Sequence, residues 1–512
     1  MKKSRGISKA KAKAGAKVKA GAKARAGAGT RTIRINPVTR LEGHGRIDIE
    51  LDRNGEVSRA FFVALEFRGF ERFCVGRPAE EMPRITPRIC GVCPTAHHIA
   101  STRALDDLFE VTPPPAAEAV RELVYNAFFL EDHLLHFFVL AGPDLVLGHE
   151  APVAVRNILG LVQHLGQEAV RKVVETRKVA RAIIEQLGGK VIHPVLGLPG
   201  GVSRRPDGQT RELAARAAAL GRQTTELGLG LLRDRLPSVA ADRRWDVLRT
   251  HYMGLVDEKG RASFHRGEIR VVGPAGNEVA RFDVHDYLEH IAERVDPDNY
   301  LKMPYLRQVG WKGLVDGADS GVVRVGPLAR INAARSMASK RAEQERQALF
   351  THFGGYPVHD TLAYHWARLV ECLQACDRLE ELSRDPVLDD PCIRNPVGLP
   401  SGSGIAAVEA PRGTLVHHYR CDSAGILTGV NLVVATVHNA AAINMSVERA
   451  ARAVIRAGEV VDEPLLNQVE MAFRHYDPCL ACATHALPGK LPLVINIIGP
   501  GGTVLRRVRR EV

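Results

Sequence analysis

Polar and apolar residues alternate near the start of the chain. In "GRIDIEL", residues 45–51, Ile47, Ile49 and Leu51 share one face of an extended segment. The run "TIRINPVTRLEGHGRIDIELDRNGEVSRAFFVAL" accordingly predicts short strands with a turn at Asn54-Gly55. From Pro113 the spacing becomes helical. "PPPAAEAVRELVYNAFFLEDHLLHFFVLAG" opens on prolines and runs to Ala141-Gly142-Pro143, where a helix should stop. A second long helix is predicted over 151–189, ending in Gly188-Gly189, and a third over 211–236. Residues 245–330 revert to short strands and turns. Helices return at 333–352, 360–384, 432–455 and 463–475, and the final stretch predicts a hairpin through Pro500-Gly501-Gly502. There is no internal repeat, no dinucleotide-binding GxGxxG after a strand and no GxxxxGK[ST] phosphate loop. The expected fold is α+β: one large helix-rich core with β pieces at its periphery.

With 512 residues, 45% of them hydrophobic, the chain can bury a large core. The net charge of +12 suggests nucleic acid until it is located. Residues 1–31 hold eleven Lys/Arg and no acid, and the remainder carries 59 basic against 58 acidic side chains. That Lys/Ala/Gly run has no apolar face and predicts disorder. Its charge suits nucleic acid, an anionic membrane or an acidic partner, and also a simple solubilising extension. No export signal or uncharged apolar stretch of about 18 residues is present, so no membrane span is expected. Nine scattered cysteines describe no disulfide scaffold and fit a reducing, cytoplasmic setting.

Two CxxC pairs remain: "RICGVCPTAHH", with Cys90 and Cys93, and "YDPCLACATH", with Cys479 and Cys482. Four thiolates select zinc, iron–sulfur, copper(I) or nickel. Structural zinc usually closes a ribbon of about 15–20 residues, but 385 residues separate Cys93 from Cys479. Thiol redox chemistry at either pair lacks its usual βαβ surroundings. Cys372 and Cys376, at i, i+4 on a helix, fit buried core thiols better than ligands.

The two pairs with their flanks resemble the metal-binding signatures of the nickel–iron hydrogenase large subunit. "INPVTRLEGHGRI", "FRGFERFCVGRP", "LEDHLLHFF", "VGPLAR" and "EAPRG" resemble further segments of that family in the expected order. The resemblance implies nickel on Cys90, Cys93, Cys479 and Cys482, with Cys93 and Cys482 bridging to an iron that carries CO and CN⁻. It places Arg412 over the metals, Pro411 and Thr436 beside the cyanides, and Asp132 and Asp477 around the arginine. Glu42 matches a carrier of the first proton, against the plainer reading of a salt bridge to Arg40 or Arg46. Asp132 also reads as a helix-surface acid and Arg412 as an ordinary ion pair. Glu71, the Leu432 carbonyl and His485 match ligands of a magnesium-type ion. His97 and His98 read as supporting hydrogen-bond or packing groups.

The activity so implied is H2 ⇌ 2H⁺ + 2e⁻. The five other cysteines are scattered, so electrons should leave through an iron–sulfur small subunit, with further acceptor subunits beyond it. The domain reading is a tail at 1–31, a catalytic domain at 32–485 and an extension at 486–512. Family precursors are cut after the histidine of "DPCxxCxxH", so a maturation protease acting between His485 and Ala486 is implied. "CATH" and the absence of an export signal resemble the cytosolic group, especially its methyl-viologen-reducing, heterodisulfide-reductase-linked branch. The rivals are a metal-free complex I subunit of the same fold and a zinc-stabilised nucleic-acid protein. The near-neutral body argues against the second.

Overall fold

A computed structural model of the chain describes residues 31–240, 246–296, 299–485, 493–499 and 503–510. The basic tail, the turn at Pro500-Gly502 and the bond after His485 lie outside these residues. Four long helices pack side by side: Pro115–Leu135, Ile158–Gly188, Gly208–Ala240 and Ala363–Arg384. Around them stand small sheets, in the α+β arrangement expected. Arg31–Ile35, Gly45–Leu51 and Val57–Ala64 form an antiparallel meander whose alternation buries Ile47, Ile49 and Leu51. Gly55, at φ +85°, supplies the left-handed residue of its turn. His251–Val256, Glu268–Val272 and Glu278–Phe282 form a second meander, extended by the parallel strand Val323–Arg324.

A third meander, Ser403–Ala410, Gly413–Cys421 and Leu427–Val433, carries the helix Pro94–Leu108 across its first two strands. Its last strand corrects the helix expected from residue 432. "LTGVNLV" pairs with the middle strand, and helices follow only at Ala435–His438 and Ala440–Val454. Consecutive β-branched and apolar residues satisfy a buried strand as well as a helix face, and here pairing decides.

Three further boundaries move. The first long helix passes its expected stop: after Leu135 it widens into a π turn, His136–Ala141, and continues as Gly142–Leu147. The second begins at Ile158, where the Asn157 side chain accepts from the Leu159 and Gly160 N–H groups, and Gly166 at φ +80° interrupts it. The helix expected at 333–352 is two, Pro327–Ala333 and Lys340–His352, the latter capped by Ser339. The segment Pro115–Leu147 is long and apolar enough to cross a membrane, but its most apolar window is 83% buried inside the protein, as a core helix is. The terminal strands Leu493–Ile498 and Val504–Arg510 pair antiparallel, as the hairpin pattern predicts.

Candidate metal centre

The two cysteine pairs, distant in sequence, meet in the core. Cys90 ends the turn Thr86–Ile89, and Cys93 immediately precedes the helix Pro94–Leu108. Cys479 precedes the short helix Leu480–Ala483, which contains Cys482. The strand-like segment at Glu42 holds this second pair in place, its carbonyl accepting from the Leu480 N–H at 2.9 Å. Cys90 Sγ lies 3.3 Å from Cys479 Sγ, Cys93 Sγ 3.2 Å from Cys482 Sγ, and Cys479 Sγ 2.8 Å from Cys482 Sγ. All four are buried, and their sulfurs lie within 4.8 Å of one another.

Such crowding cannot carry four negative charges unaided. At Cys90 burial opposes ionisation, yet bonds from Cys479, Cys482 and Cys93 and the charge of Arg412 outweigh it and hold that thiol well below its ordinary value. Bonds to Cys479 and Cys482 favour the Cys93 thiolate, but contact with Cys90 and burial win and push it up to about 11. Burial first, and the neighbouring sulfurs next, drive Cys479 well up; burial also dominates at Cys482. The protein alone therefore favours one thiolate. A soft cation replacing the other protons would resolve the conflict, and the donor set fits nickel with a second metal.

Arg412 fills the roof of this chamber. It sits in the two-residue tip of the hairpin formed by Ser403–Ala410 and Gly413–Cys421, with Ala410 opposite Gly413. Its Nη1 donates to Asp132 Oδ2 at 3.2 Å, and its Nη2 lies 2.9 Å from Asp477 Oδ2. Asp132 is fully buried, so the helix-surface reading fails, and Arg412 is no surface ion pair. Burial opposes charge on Arg412, but the two carboxylates outweigh it and raise its proton affinity. Burial carries Asp132 up to about 7 against the pull of Arg412, and raises Asp477 for the same reason.

Glu42 accepts from Cys479 Sγ at 3.0 Å and from the Ala481 N–H at 3.0 Å. The salt-bridge reading fails: Arg40 pairs with Asp144 and Arg46 with Asp48. Burial, then the Cys90 charge, pushes the Glu42 carboxyl upward. Thr436 Oγ1 accepts from the Cys479 N–H at 3.0 Å, leaving its own proton to donate elsewhere. The Pro411 carbonyl accepts from Arg330 at 3.0 Å.

Glu71, Leu432 and His485 also come together. Glu71 Oε1 accepts from the Leu432 N–H at 2.8 Å and lies 3.6 Å from His485 Nε2. His485 Nε2 is 2.6 Å from the Leu432 carbonyl and its Nδ1 2.5 Å from the Cys482 carbonyl. A neutral imidazole has only one N–H for those two oxygens, so a cation at Nε2 fits the arrangement.

His97 Nε2 touches Cys482 Sγ at 3.4 Å, and its Nδ1 meets His417 Nε2 at 3.2 Å. His98 is structural: Nδ1 meets the Pro83 carbonyl, and Nε2 accepts from Leu196 and Gly197. Cys372 and Cys376 are buried core thiols. Sequence reasoning missed Arg330, which grips Glu371 and Glu409 and the hairpin tip, and also missed His417. "VGPLAR" marked Arg330's position without its partners.

A sequence profile described as nickel-dependent hydrogenase matches residues 68–183 and 318–485, and one described as HoxL-like matches 32–67. The chain belongs to the nickel-dependent hydrogenase family. It is 43% identical over 489 residues to the iron-sulfur subunit of the F420-non-reducing hydrogenase of Archaeoglobus profundus, spanning 94% of this chain and 99% of that one. It is 36% identical over 500 residues to the NAD-reducing hydrogenase HoxS subunit beta of Cupriavidus necator, spanning 93% and 99%. Among solved structures, an NAD⁺-reducing [NiFe]-hydrogenase in the H2-reduced state superposes with a TM-score of 0.83 at 38% identity, covering 89% of this chain and all of that one. This hydrogenase chain is of the catalytic, large-subunit type, an oxidoreductase acting on H2. The metal-free complex I reading finds no support among these relatives.

Proposed function

We propose that this hydrogenase splits H2 heterolytically in the chamber between the four thiols and Arg412, passing electrons to an iron–sulfur small subunit. The observation that carries the reading is the convergence of four buried sulfurs beneath a buried guanidinium, with a carboxyl group bonded to one of them. Cys90, Cys93, Cys479 and Cys482 would hold nickel, with Cys93 and Cys482 shared with an iron bearing CO and CN⁻. When bound, that pair supplies Lewis acidity and accessible redox states for cleaving H2. Arg412, oriented by Asp132 and Asp477, presents fixed positive charge where the bond polarises and helps exclude water. Glu42 receives the proton from the Cys479 end; its raised proton affinity suits a carrier working near neutral pH. Thr436 and Pro411 flank the site of the diatomic ligands. Glu71, the Leu432 carbonyl and His485 would hold magnesium, tying the chain's last site segment to the sheet.

The partner reading has a surface to support it. Exposed Leu65, Phe67 and Phe73 form an apolar strip beside the Cys90 loop, and Arg68 binds the Ile89 and Arg88 carbonyls between them. Further acceptor subunits, a cytoplasmic setting and removal of residues 486–512 by a maturation protease complete the proposal. The similarity to F420-non-reducing relatives favours that branch. No nucleic-acid role belongs to the core.

Metal analysis tests this directly. Protein made with its maturation machinery should hold nickel and iron in equal amounts and show infrared bands of bound CO and CN⁻. Zinc alone would overturn the assignment. Cys482→Ala should abolish H2 turnover, and an unchanged rate is incompatible with a bridging thiolate.

A further inference from the structure

Glu42 serves one side of the chamber; on the other side, behind Asp477, lies a file of buried histidines. His136 stands one helical turn after Asp132, at the start of the π turn, with Nε2 3.8 Å from Asp477 Oδ1. Its ring stacks on His365 at 5.4 Å between centroids and 15° between planes. His365 Nε2 meets His475 Nδ1 at 2.9 Å, and His475 Nε2 lies 3.2 Å from Asp246 Oδ2. All four side chains are at most 1% exposed. We propose that His136, His365 and His475 form a second proton-conducting file, leading from the Arg412–Asp477 side of the chamber to Asp246. It rests on the H2-cleaving reading above, since only a reaction that makes or consumes protons there needs such a file.

The hydrogen bonds give the file a direction. Arg368 Nη1, which can only donate, faces His365 Nδ1 at 3.5 Å. That nitrogen is therefore the bare one, and His365 Nε2 carries the proton it donates to His475 Nδ1. His475 then carries its own proton on Nε2, pointed at the Asp246 carboxylate. A proton added to His365 Nδ1 is matched by transfer of the Nε2 proton to His475 and of the His475 Nε2 proton to Asp246. One proton enters and one leaves, and both imidazoles end neutral in the opposite tautomer, reset by ring rotation.

A purely structural network would satisfy its buried nitrogens, because an unpaired one costs about 1–3 kcal/mol. Here His136 Nδ1 has no hydrogen-bond partner among the described residues, and His475 Nε2 meets Asp246 at ion-pair distance without hydrogen-bond alignment. A void of about 10 Å³ adjoins His365, His475, Arg474 and Asp144, room for about one water. The charges facing the file are Arg368, Arg412 and Arg474 against Asp144, Asp246 and Asp477. Burial, then Arg368, keeps His136 neutral at rest, as a shuttle requires.

The test uses the metal-loaded enzyme with its partner subunits. His365→Ala and His475→Ala should lower both H2-dependent dye reduction and D2–solvent proton exchange by about tenfold, with nickel, iron and infrared bands unchanged. Imidazole added to either variant should restore much of the rate, which a merely structural role would not allow. Unchanged rates in variants that keep their metals overturn the file. If the alanine variants lose metal, His475→Gln decides: a metal-loaded enzyme with full rates overturns the proposal, and a loss restored only in the histidine form supports it. Failure of the underlying reading looks different, as wild-type enzyme without nickel or H2 turnover.

Discussion

Asp144 shows how single residues hold this chamber together from a distance. It is nearly fully buried and meets Arg40 at 2.6 Å, Arg156 at 3.6 Å and Arg474 more closely still, so one carboxylate anchors three guanidiniums from distant segments. Burial pushes its proton affinity up, but Arg474 and Arg40 outweigh that and hold it below the ordinary aspartate value. A depressed folded-state pKa contributes stability above the unfolded value of about 4, lost as pH falls through the folded value. Asp144→Asn should cost about 3–5 kcal/mol at neutral pH, because three cations lose their counter-charge. The gap between wild type and variant should close below about pH 4, where wild type also loses the charge. Unfolding curves across pH check this, and a pH-independent gap would rule it out. Little of this cluster is legible in the sequence. The cysteines announce themselves because two-residue spacing and flanking prolines are local signals. Arg40, Asp144 and Arg474 are ordinary charges on three separate segments until folding brings them together, and so are His365 and His475.

At the scale of elements, the arginine hairpin is held by a second loop rather than by its own turn. Arg330, in "VGPLAR", donates to the carbonyls of Ala410 and Pro411 and clamps Glu371 and Glu409, all without solvent. Burial raises Glu409 despite its arginine, whereas Glu371, gripped by two nitrogens, is held below the ordinary range once Arg330 outweighs burial. Gly413 closes the hairpin at φ +137°, a conformation side chains rarely adopt. A Cβ there would stand 2.2 Å from Val325 Cγ2 and 2.8 Å from the Gly326 nitrogen, so neighbour and backbone alike would have to move. Gly413→Ala should therefore destabilise the fold by about 1–3 kcal/mol and lower H2 turnover by displacing Arg412, with the four thiols untouched. Retained nickel with reduced turnover is the expected combination; wild-type turnover would show that the guanidinium tolerates displacement. The two motifs are visible in the sequence as separate segments, but their interlock is not, because loop-to-loop packing has no period. The strand misread as helix at Leu427–Val433 has the same origin: its partner strand supplies the deciding bonds.

Across the whole molecule, the metal chamber is a clasp between the two ends of the described core. Glu42 comes from the first meander, Cys90 and Cys93 from the segment after it, and Asp477, Cys479 and Cys482 from the last buried segment, with Glu71 and His485 alongside. Without metal, the clasp is a set of crowded thiols of which one favours ionisation, closed mainly by the Leu480–Glu42 and Glu71–His485 backbone bonds. Binding by four thiolates adds free energy only to the closed state, since the open chain holds the pairs 385 residues apart. Thiolate metal sites contribute on the order of 10 kcal/mol, and in a chain of this size that corresponds to an apparent Tm rise of roughly 10 °C or more. The rise should be accompanied by protection of amide hydrogens in two segments above all: 40–45 and 476–485. Metal-free and metal-loaded protein, compared by calorimetry and hydrogen exchange, check both quantities together. Equal protection of those segments in the two forms would mean that the core closes on its own and that the metals are bound by a finished cavity.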